Sequence, residues 1–137
     1  MRRIPFDREW LDAVSARWPT PFHVYDAKAI RANARRLKEA FSWNKGFREY
    51  FAVKATPIPA IISLLAREGV GADCSSLAEL VMAERCGISG EAVMFTSNDT
   101  PAEEFAKAKS MGAVINLDDI GHIGFLEKCA GLPDLVC

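Results

Sequence analysis

Short apolar runs alternate with amphipathic stretches along most of the chain, and this alternation defines the predicted elements. Five runs have the content of buried strands: Tyr50–Lys54, Val70–Cys74, Ala92–Thr96, Ala113–Leu117 and Leu135–Cys137. Successive runs begin 20 to 22 residues apart. A helical pattern follows each of the first four, over Pro59–Glu68, Ser76–Cys86, Pro101–Met111 and Asp118–Cys129. Strands and helices alternating at this spacing are typical of βαβ units and a parallel sheet.

Capping residues mark the ends of these predicted helices. The helices end at glycines, which accept a positive φ without a Cβ clash: Gly69, Gly87, Gly112 and Gly131. Ser76 precedes Glu79 at the spacing of a capping box. Thr100 precedes Pro101, which predicts a cap followed by proline in the first turn.

The parallel sheet fits either a (β/α)8 barrel or an open doubly wound sheet. The strands are apolar throughout, as expected when both faces are covered. Neither GxGxxG nor GxxxxGK[ST] occurs, which argues against the nucleotide-binding open sheets. The regular repeat favours the barrel, and four complete units are about half of the eight that it needs. We therefore predict an α/β fold in which residues 26–137 form the first half of a (β/α)8 barrel, as a fragment of a longer protein.

The first 25 residues have a different pattern. Asp7–Trp18 is predicted to form a short amphipathic helix, and Phe22–Tyr25 a short strand. Asp26 is a good N-cap for a helix that runs to about Phe41. Three basic residues of that helix are predicted to face water: Arg31, Arg35 and Lys38.

Composition narrows the classes of protein. The 137 residues are enough for about one domain, and the net charge of −1 gives no basic excess that would point to nucleic acid. No apolar run approaches the roughly 20 residues of a membrane span, and Pro5 and Asp7 interrupt any signal-peptide region. Four cysteines form no CxxC pair: Cys74, Cys86, Cys129 and Cys137. Reduced thiols in a cytoplasmic protein are favoured over disulfides or a metal site.

Candidate chemistry lies where the strands end, because the sites of parallel α/β folds lie at the carboxyl ends of their strands. The polar residues there are Lys54, Asp73, Thr96 with Asn98, and Asn116 with Asp118. For Asn116 and Asp118 an ordinary structural role is favoured, with Asp118 capping the next helix. For Thr96 and Asn98 a structural role and a role in the site both stay open.

Lys54 is the strongest of these candidates. A lysine after Phe51-Ala52-Val53 would normally extend its amine to water. At the lip of a barrel the amine would instead point toward the cavity, where partial desolvation leaves more of it neutral and nucleophilic. A neutral amine condenses with an aldehyde or ketone. Asp73 ends the neighbouring strand and could approach the amine, whereas Glu79 belongs either to the capping box or to the site.

Five segments, in order, carry a resemblance to a known family: TPFHVYD (Thr20–Asp26), YFAVKAT (Tyr50–Thr56), GADCSSLAEL (Gly71–Leu80), VMFTSND (Val93–Asp99) and VINLDD (Val114–Asp119). Together they resemble the amino-terminal half of the fold-type III pyridoxal-phosphate decarboxylases, and the diaminopimelate decarboxylases in particular. Ornithine and arginine decarboxylases are relatives.

This resemblance implies roles for named residues. Lys54 corresponds to the lysine that holds pyridoxal phosphate, and Asp73, Ser76 and Glu79 match the D-x-x-S-x-x-E pattern that lines the cofactor pocket. Asn98 matches an asparagine after the third strand. The family also implies that residues 1–25 contribute a strand to a β domain, and that the full protein is a homodimer with a shared active site. Its implied reaction is decarboxylation of meso-diaminopimelate to L-lysine.

Departures from the family pattern bear on the predicted substrate more than on the predicted cofactor. Leu77-Ala78 stand where diaminopimelate decarboxylases usually have two glycines, and Thr96-Ser97-Asn98 replaces the usual HGN. His122 begins a His-Ile-Gly that the family has on a later strand, so we interpret it as a helix residue. An alanine-racemase-like enzyme and a non-catalytic pyridoxal-phosphate-binding barrel remain alternatives. Residues 1–137 alone are predicted to be inactive and poorly folded.

Overall fold

A computed structural model of the chain describes residues 4–133. Its strands are β1 (Tyr50–Ala52), β2 (Gly71–Cys74), β3 (Val93–Thr96) and β4 (Val114–Asn116). Its α-helices are α1 (Arg8–Arg17), α2 (Ala27–Ala40), α3 (Pro59–Arg67), α4 (Leu77–Arg85), α5 (Ala102–Ser110) and α6 (Gly121–Cys129). From β1 to α6 strands and helices alternate, which confirms the predicted βαβ order. The predicted strand Leu135–Cys137 lies outside the described residues.

The four strands form one parallel sheet in the order β1-β2-β3-β4. A doubly wound sheet reverses its strand order at a switch point, whereas a barrel adds each strand beside the previous one. The sequential order therefore has the topology of the amino-terminal half of a (β/α)8 barrel. In the register, Ala52 pairs with Asp73, Asp73 with Met94, and Thr96 with Asn116.

Alternate strand residues have opposite environments. Cys74, Phe95 and Ile115 are fully buried and pack against helix residues such as Leu80 and Phe105 in the main core. Asp73, Met94 and Thr96 point to the opposite face and are only half-buried. One face of the sheet is thus covered by helices, and the other is the interior side of the incomplete barrel.

The glycine caps were predicted correctly. Gly69, Gly87, Gly112 and Gly131 follow α3, α4, α5 and α6 with φ between +69° and +78°. Such values favour glycine because a Cβ would be strained there. Asp26 caps α2 as predicted, with its Oδ1 accepting a hydrogen bond from the Ala29 N–H at 3.0 Å.

Two predicted N-caps were wrong. Thr100 does not cap α5, because its hydroxyl donates to the Ser97 carbonyl at 3.1 Å and Pro101 takes the N-cap position. Asp118 does not cap α6, because the helix starts later, with Ile120 at the N-cap. Asp119 holds that start instead, since its Oδ1 accepts a hydrogen bond from the Gly121 N–H at 2.6 Å.

Arg35 and Lys38 of α2 are exposed as predicted, and Arg31 is half-buried, but all three also contact Glu68. Arg35 binds both carboxylate oxygens of Glu68, at 2.7 and 3.0 Å, and Arg31 approaches the same carboxylate at 3.3 Å. Lys38 donates to the Glu68 carbonyl at 2.8 Å. These contacts cover the Glu68 side chain and attach α2 to the end of α3. Arg35, chiefly through its hydrogen bonds, lowers the pKa of Glu68.

The predicted strand Phe22–Tyr25 is absent, and these residues form no regular secondary structure. A strand needs a neighbouring strand to share its backbone hydrogen bonds. The sheet of the described residues consists of β1 to β4, and the segment Phe22–Tyr25 pairs with none of them. Assignment of residues 1–25 to a β domain stays a prediction. No helix within residues 4–133 is long and apolar enough to cross a bilayer.

Candidate active site at the carboxyl edge of the sheet

The predicted polar residues of the strand ends lie along one edge of the sheet. Asp73 is in β2, while Thr96 and Asn116 are the paired last residues of β3 and β4. Lys54 lies just beyond β1, two residues after Ala52, the register partner of Asp73. The parallel order therefore places Lys54, in the turn after β1, and Asp73, in the neighbouring strand β2, at the same carboxyl edge.

Lys54 leaves the sheet in a short turn. The strand ends at Ala52, and Val53–Ala55 form a single 3₁₀ turn that the Thr56 N–H closes by donating to the Val53 carbonyl at 3.2 Å. Val53 is fully buried and anchors this turn, whereas Lys54 is exposed. Residues 4–133 alone do not desolvate the amine, and its partial desolvation in a closed barrel stays a prediction. Residues 4–133 leave the interior face of the sheet open, so none of them covers the lysine from across the barrel.

Asp73 has a free acceptor atom beside this turn. Its Oδ1 is buried and has no hydrogen-bond partner among residues 4–133. A buried acceptor without a donor is destabilising, by about 1–3 kcal/mol. A donor group of a ligand, or of protein outside the described residues, would remove this penalty. An exposed amine and an unpaired carboxylate oxygen at one edge fit a cofactor that carries an aldehyde and hydrogen-bond donors.

Ser76 and Glu79 shape the turn that follows β2. Ser76 is the N-cap of α4, and its side chain accepts a hydrogen bond from the Glu79 N–H at 3.4 Å. The Glu79 side chain bonds to Ser75, the residue before the N-cap, and not to the N-cap Ser76 itself. Its carboxylate accepts from the Ser75 N–H at 2.9 Å and from the Ser75 hydroxyl at 3.2 Å. Half of the predicted capping box is present, with its second bond shifted by one residue.

Glu104 was missed by the sequence analysis. It lies in the first turn of α5, and its Oε1 accepts a hydrogen bond from the Leu77 N–H, the first amide of α4, at 2.8 Å. The sequence signal is the acidic pair Glu103-Glu104, which is common in the first turn of a helix. Only the packing of α5 on α4 reveals which of the two makes a contact between helices.

Asn98 and Cys74, which also lie near the carboxyl edge, differ in their exposure. Asn98 is exposed in the bend between β3 and α5, and no hydrogen bond joins its side chain to another described residue. Cys74 is fully buried in the main core, and desolvation, followed by the charges of Glu79 and Asp73, raises its pKa to about 12. Cys74 is therefore a core thiol and not a nucleophile.

A cavity of about 470 Å³ lies at the opposite, amino edge of the sheet. Its lining includes Tyr50 and Gly71, the first residues of β1 and β2, together with Glu91. Lys54, Asp73, Ser76 and Glu79 do not contribute to its lining. Chemistry in parallel α/β folds belongs to the carboxyl edge, so we assign the candidate site there and not to this cavity.

Comparisons with known proteins agree with this geometry. The family described as "Pyridoxal-dependent decarboxylase, pyridoxal binding domain" matches residues 27–136. Protein TabA from Pseudomonas amygdali pv. tabaci is 48% identical over 126 residues, which cover 92% of this chain and 29% of TabA. Diaminopimelate decarboxylase from Deinococcus radiodurans is 34% identical over 115 residues, which cover 84% of this chain and 30% of the enzyme.

Solved structures show the same relationship. The crystal structure of diaminopimelate decarboxylase from Helicobacter pylori complexed with L-lysine matches with a TM-score of 0.80 and 28% identity. The match covers 87% of this chain and 30% of that one. The chain thus spans less than a third of the length of these relatives. It belongs to the pyridoxal-dependent decarboxylase family, within the pyridoxal-binding domain, and the cofactor of that domain is pyridoxal phosphate.

Proposed function

We propose that the protein containing this chain decarboxylates an amino acid with pyridoxal phosphate held by Lys54. The observation that carries the proposal is the position of Lys54 in the turn directly after β1, at the carboxyl edge and next to the strand of Asp73. The family match supports decarboxylation over the racemase and over the non-catalytic barrel.

Five residues would receive the cofactor. The Lys54 amine would bind the aldehyde group of the cofactor. The free Oδ1 of Asp73 would accept a hydrogen bond from a donor group of the cofactor or from the amine. Ser76 and Glu79 hold the turn after β2, and Asn98 is the candidate from the loop after β3. Bound pyridoxal phosphate supplies an electron sink that accepts the electron pair left when CO2 departs.

The charges of this chain set the proton requirements at Lys54. Its Nζ must be without its extra proton in order to act as a nucleophile. A carboxylate near an amine favours the ammonium form, so Asp73 would oppose the attack if it served only as a counter-ion. We assign Asp73 instead to orienting the amine and exchanging a proton with it in the loaded enzyme, since its Oδ1 has no partner among the described residues.

The proposed substrate is meso-diaminopimelate, and the products are L-lysine and CO2. Support comes from diaminopimelate decarboxylases among the relatives and from the Helicobacter pylori enzyme with bound L-lysine. The name TabA states no substrate. A role in lysine biosynthesis, a cytoplasmic location and a homodimer with a shared active site belong to the same proposal.

Release of CO2 from a panel of amino acids tests this function. The intact protein is incubated with pyridoxal phosphate and, in turn, with meso-diaminopimelate, lysine, ornithine and arginine. We expect turnover with diaminopimelate, loss of turnover in Lys54→Arg, and no change in Lys45→Arg, an exposed lysine before β1. Turnover by Lys54→Arg at the wild-type rate would refute the proposed role of Lys54. Racemisation of an amino acid without CO2 release would favour the alternative enzyme class.

A further inference from the structure

Glu104 reaches from α5 to the turn that carries the candidate site. Its half-buried side chain accepts a hydrogen bond from the Leu77 N–H at 2.8 Å, across 27 residues of sequence. Leu77 is the first residue of α4, directly after the N-cap Ser76. The contact therefore acts on the backbone of the turn and not on a side chain.

The start of α4 needs such an acceptor. The first four N–H groups of a helix have no partner within the helix. Ser76 satisfies the N–H of Glu79, and Glu104 satisfies that of Leu77. A carboxylate also interacts favourably with the positive end of the helix dipole. Removal of the Glu104 carboxylate would leave the partly buried Leu77 N–H without an acceptor. The backbone at the start of α4 would then be less firmly held.

The same turn is fixed from its other side. The Glu79 carboxylate holds the N–H and the hydroxyl of Ser75. Glu79 thus closes the turn from within α4, and Glu104 closes it from the neighbouring helix. The segment between these two contacts begins two residues after Asp73, so its conformation also determines the path of the backbone that leaves Asp73.

We propose that Glu104 is a positioning residue of the pyridoxal site, which fixes the turn Ser75–Glu79 and so the directions of Asp73, Ser76 and Glu79. The inference rests on the proposed function, because it assumes that the cofactor binds at this edge. Glu104 acts through Leu77 and touches neither cofactor nor substrate. It is a role that the local sequence pattern of α5 does not indicate.

A purely structural role, in which Glu104 only attaches α5 to α4, can be separated from this one. Lys107 and Glu84 attach the same two helices further along, with Nζ and Oε1 2.6 Å apart. Glu103 lies beside Glu104 in the same helical turn and is exposed. Lys107→Met therefore weakens helix attachment away from the turn, and Glu103→Ala removes a carboxylate without removing the bond to Leu77.

The test compares Glu104→Ala, Glu104→Gln and Glu104→Asp with these two controls in the intact protein. Hydrogen exchange of the Leu77 amide is measured without cofactor, and the dissociation constant of pyridoxal phosphate by absorbance titration. Glu104→Ala is expected to speed exchange and to raise the dissociation constant about tenfold, the effect of one charge-assisted hydrogen bond. The amide oxygen of Gln still accepts a hydrogen bond, so that variant is expected to stay within about threefold of wild type.

Glu104→Asp keeps the charge but is one methylene shorter, so it tests whether the length of the side chain matters. It also replaces the Ala variant as the test if that variant does not fold. Its dissociation constant is expected to lie between those of the Gln and Ala variants. Wild-type cofactor affinity in Glu104→Ala, or an equal loss in Lys107→Met, would overturn the positioning role. If pyridoxal phosphate attaches at a lysine other than Lys54, the proposed function fails and this role fails with it. Attachment at Lys54 with unaltered affinity in Glu104→Ala refutes the positioning role alone.

Discussion

The aromatic ring of Tyr50 lies against Gly71, its register partner on the neighbouring strand. A Cβ built at Gly71 would come within 2.6 Å of Tyr50 Cδ1 and of the Ala92 carbonyl oxygen. The Tyr50 hydroxyl continues across β2 and donates to the Glu91 carbonyl at 2.6 Å. One tyrosine therefore links β1 to the segment before β3, and only glycine leaves room for it.

Gly71→Ala is predicted to destabilise the protein, because neither the backbone carbonyl nor the ring can move away without cost. Overpacking of this kind lowers the free energy of unfolding by about 1–3 kcal/mol. Urea denaturation of the intact protein measures the change. The matched control is Gly124→Ala in α6, where a Cβ meets nothing within 4 Å. That control is expected to stabilise by about 0.5–1 kcal/mol, since alanine is the better helix former. An equal effect of the two substitutions would contradict the packing argument.

Asp73→Ala is predicted to have opposite effects on stability and on cofactor binding. The substitution removes the buried Oδ1 that has no partner among the described residues, so the cofactor-free protein should gain about 1 kcal/mol of stability. Loss of the same atom should weaken binding of pyridoxal phosphate. Thermal unfolding without cofactor and absorbance titration with it measure the two effects. A variant that loses stability and keeps its affinity would show that Asp73 is a structural residue.

Glu68→Gln is predicted to change the dependence of stability on pH. The hydrogen bonds from Arg35 lower the pKa of Glu68 in the folded state. A lowered pKa means that the carboxylate stabilises the fold above its unfolded pKa of about 4.3. That contribution disappears as the pH falls through the lower folded value. The stability difference between wild type and Glu68→Gln should therefore be full at pH 7 and shrink below about pH 4.3. Glu103→Gln, which changes an exposed carboxylate, serves as the control; a difference that does not vary with pH would contradict this reasoning.

Cys74 is predicted to resist alkylation in the folded protein. Its thiol is fully buried, and desolvation raises its pKa to about 12, so almost none of it is thiolate at pH 8. Cys86 and Cys129 are half-buried and provide internal comparisons. Mass spectrometry of peptides after a timed iodoacetamide treatment should find Cys74 the least modified of these three. Fast modification of Cys74 in folded protein would show that the core around β2 opens readily.

Local patterns were sufficient for the repeated part of the fold. The spacing of apolar runs predicted all four described strands to within one or two residues at each end, and the glycines predicted where α3 to α6 end. The carboxyl-edge location of Lys54 and Asp73 follows from the same βαβ order. These features depend on residues that are near one another in sequence, or on a rule common to all parallel sheets.

Features that depend on distant contacts were not predictable in this way. Arg35 has the same helical spacing whether it faces water or binds Glu68. Glu104 looks like its neighbour Glu103 until α4 lies beside it. The exposure of Lys54 depends on which strands enclose the interior face, and the segment Phe22–Tyr25 pairs with no strand of the described sheet. In each case the deciding neighbour is remote in sequence or outside the described residues.

The most direct test of the account is to find the attachment site of pyridoxal phosphate. The intact protein is loaded with the cofactor, reduced with borohydride and digested, and the modified peptide is identified by mass spectrometry. The account predicts the pyridoxyl group on Lys54, with Lys45 unmodified. Modification of a different lysine, or no stable modification in protein shown to bind the cofactor, would contradict it.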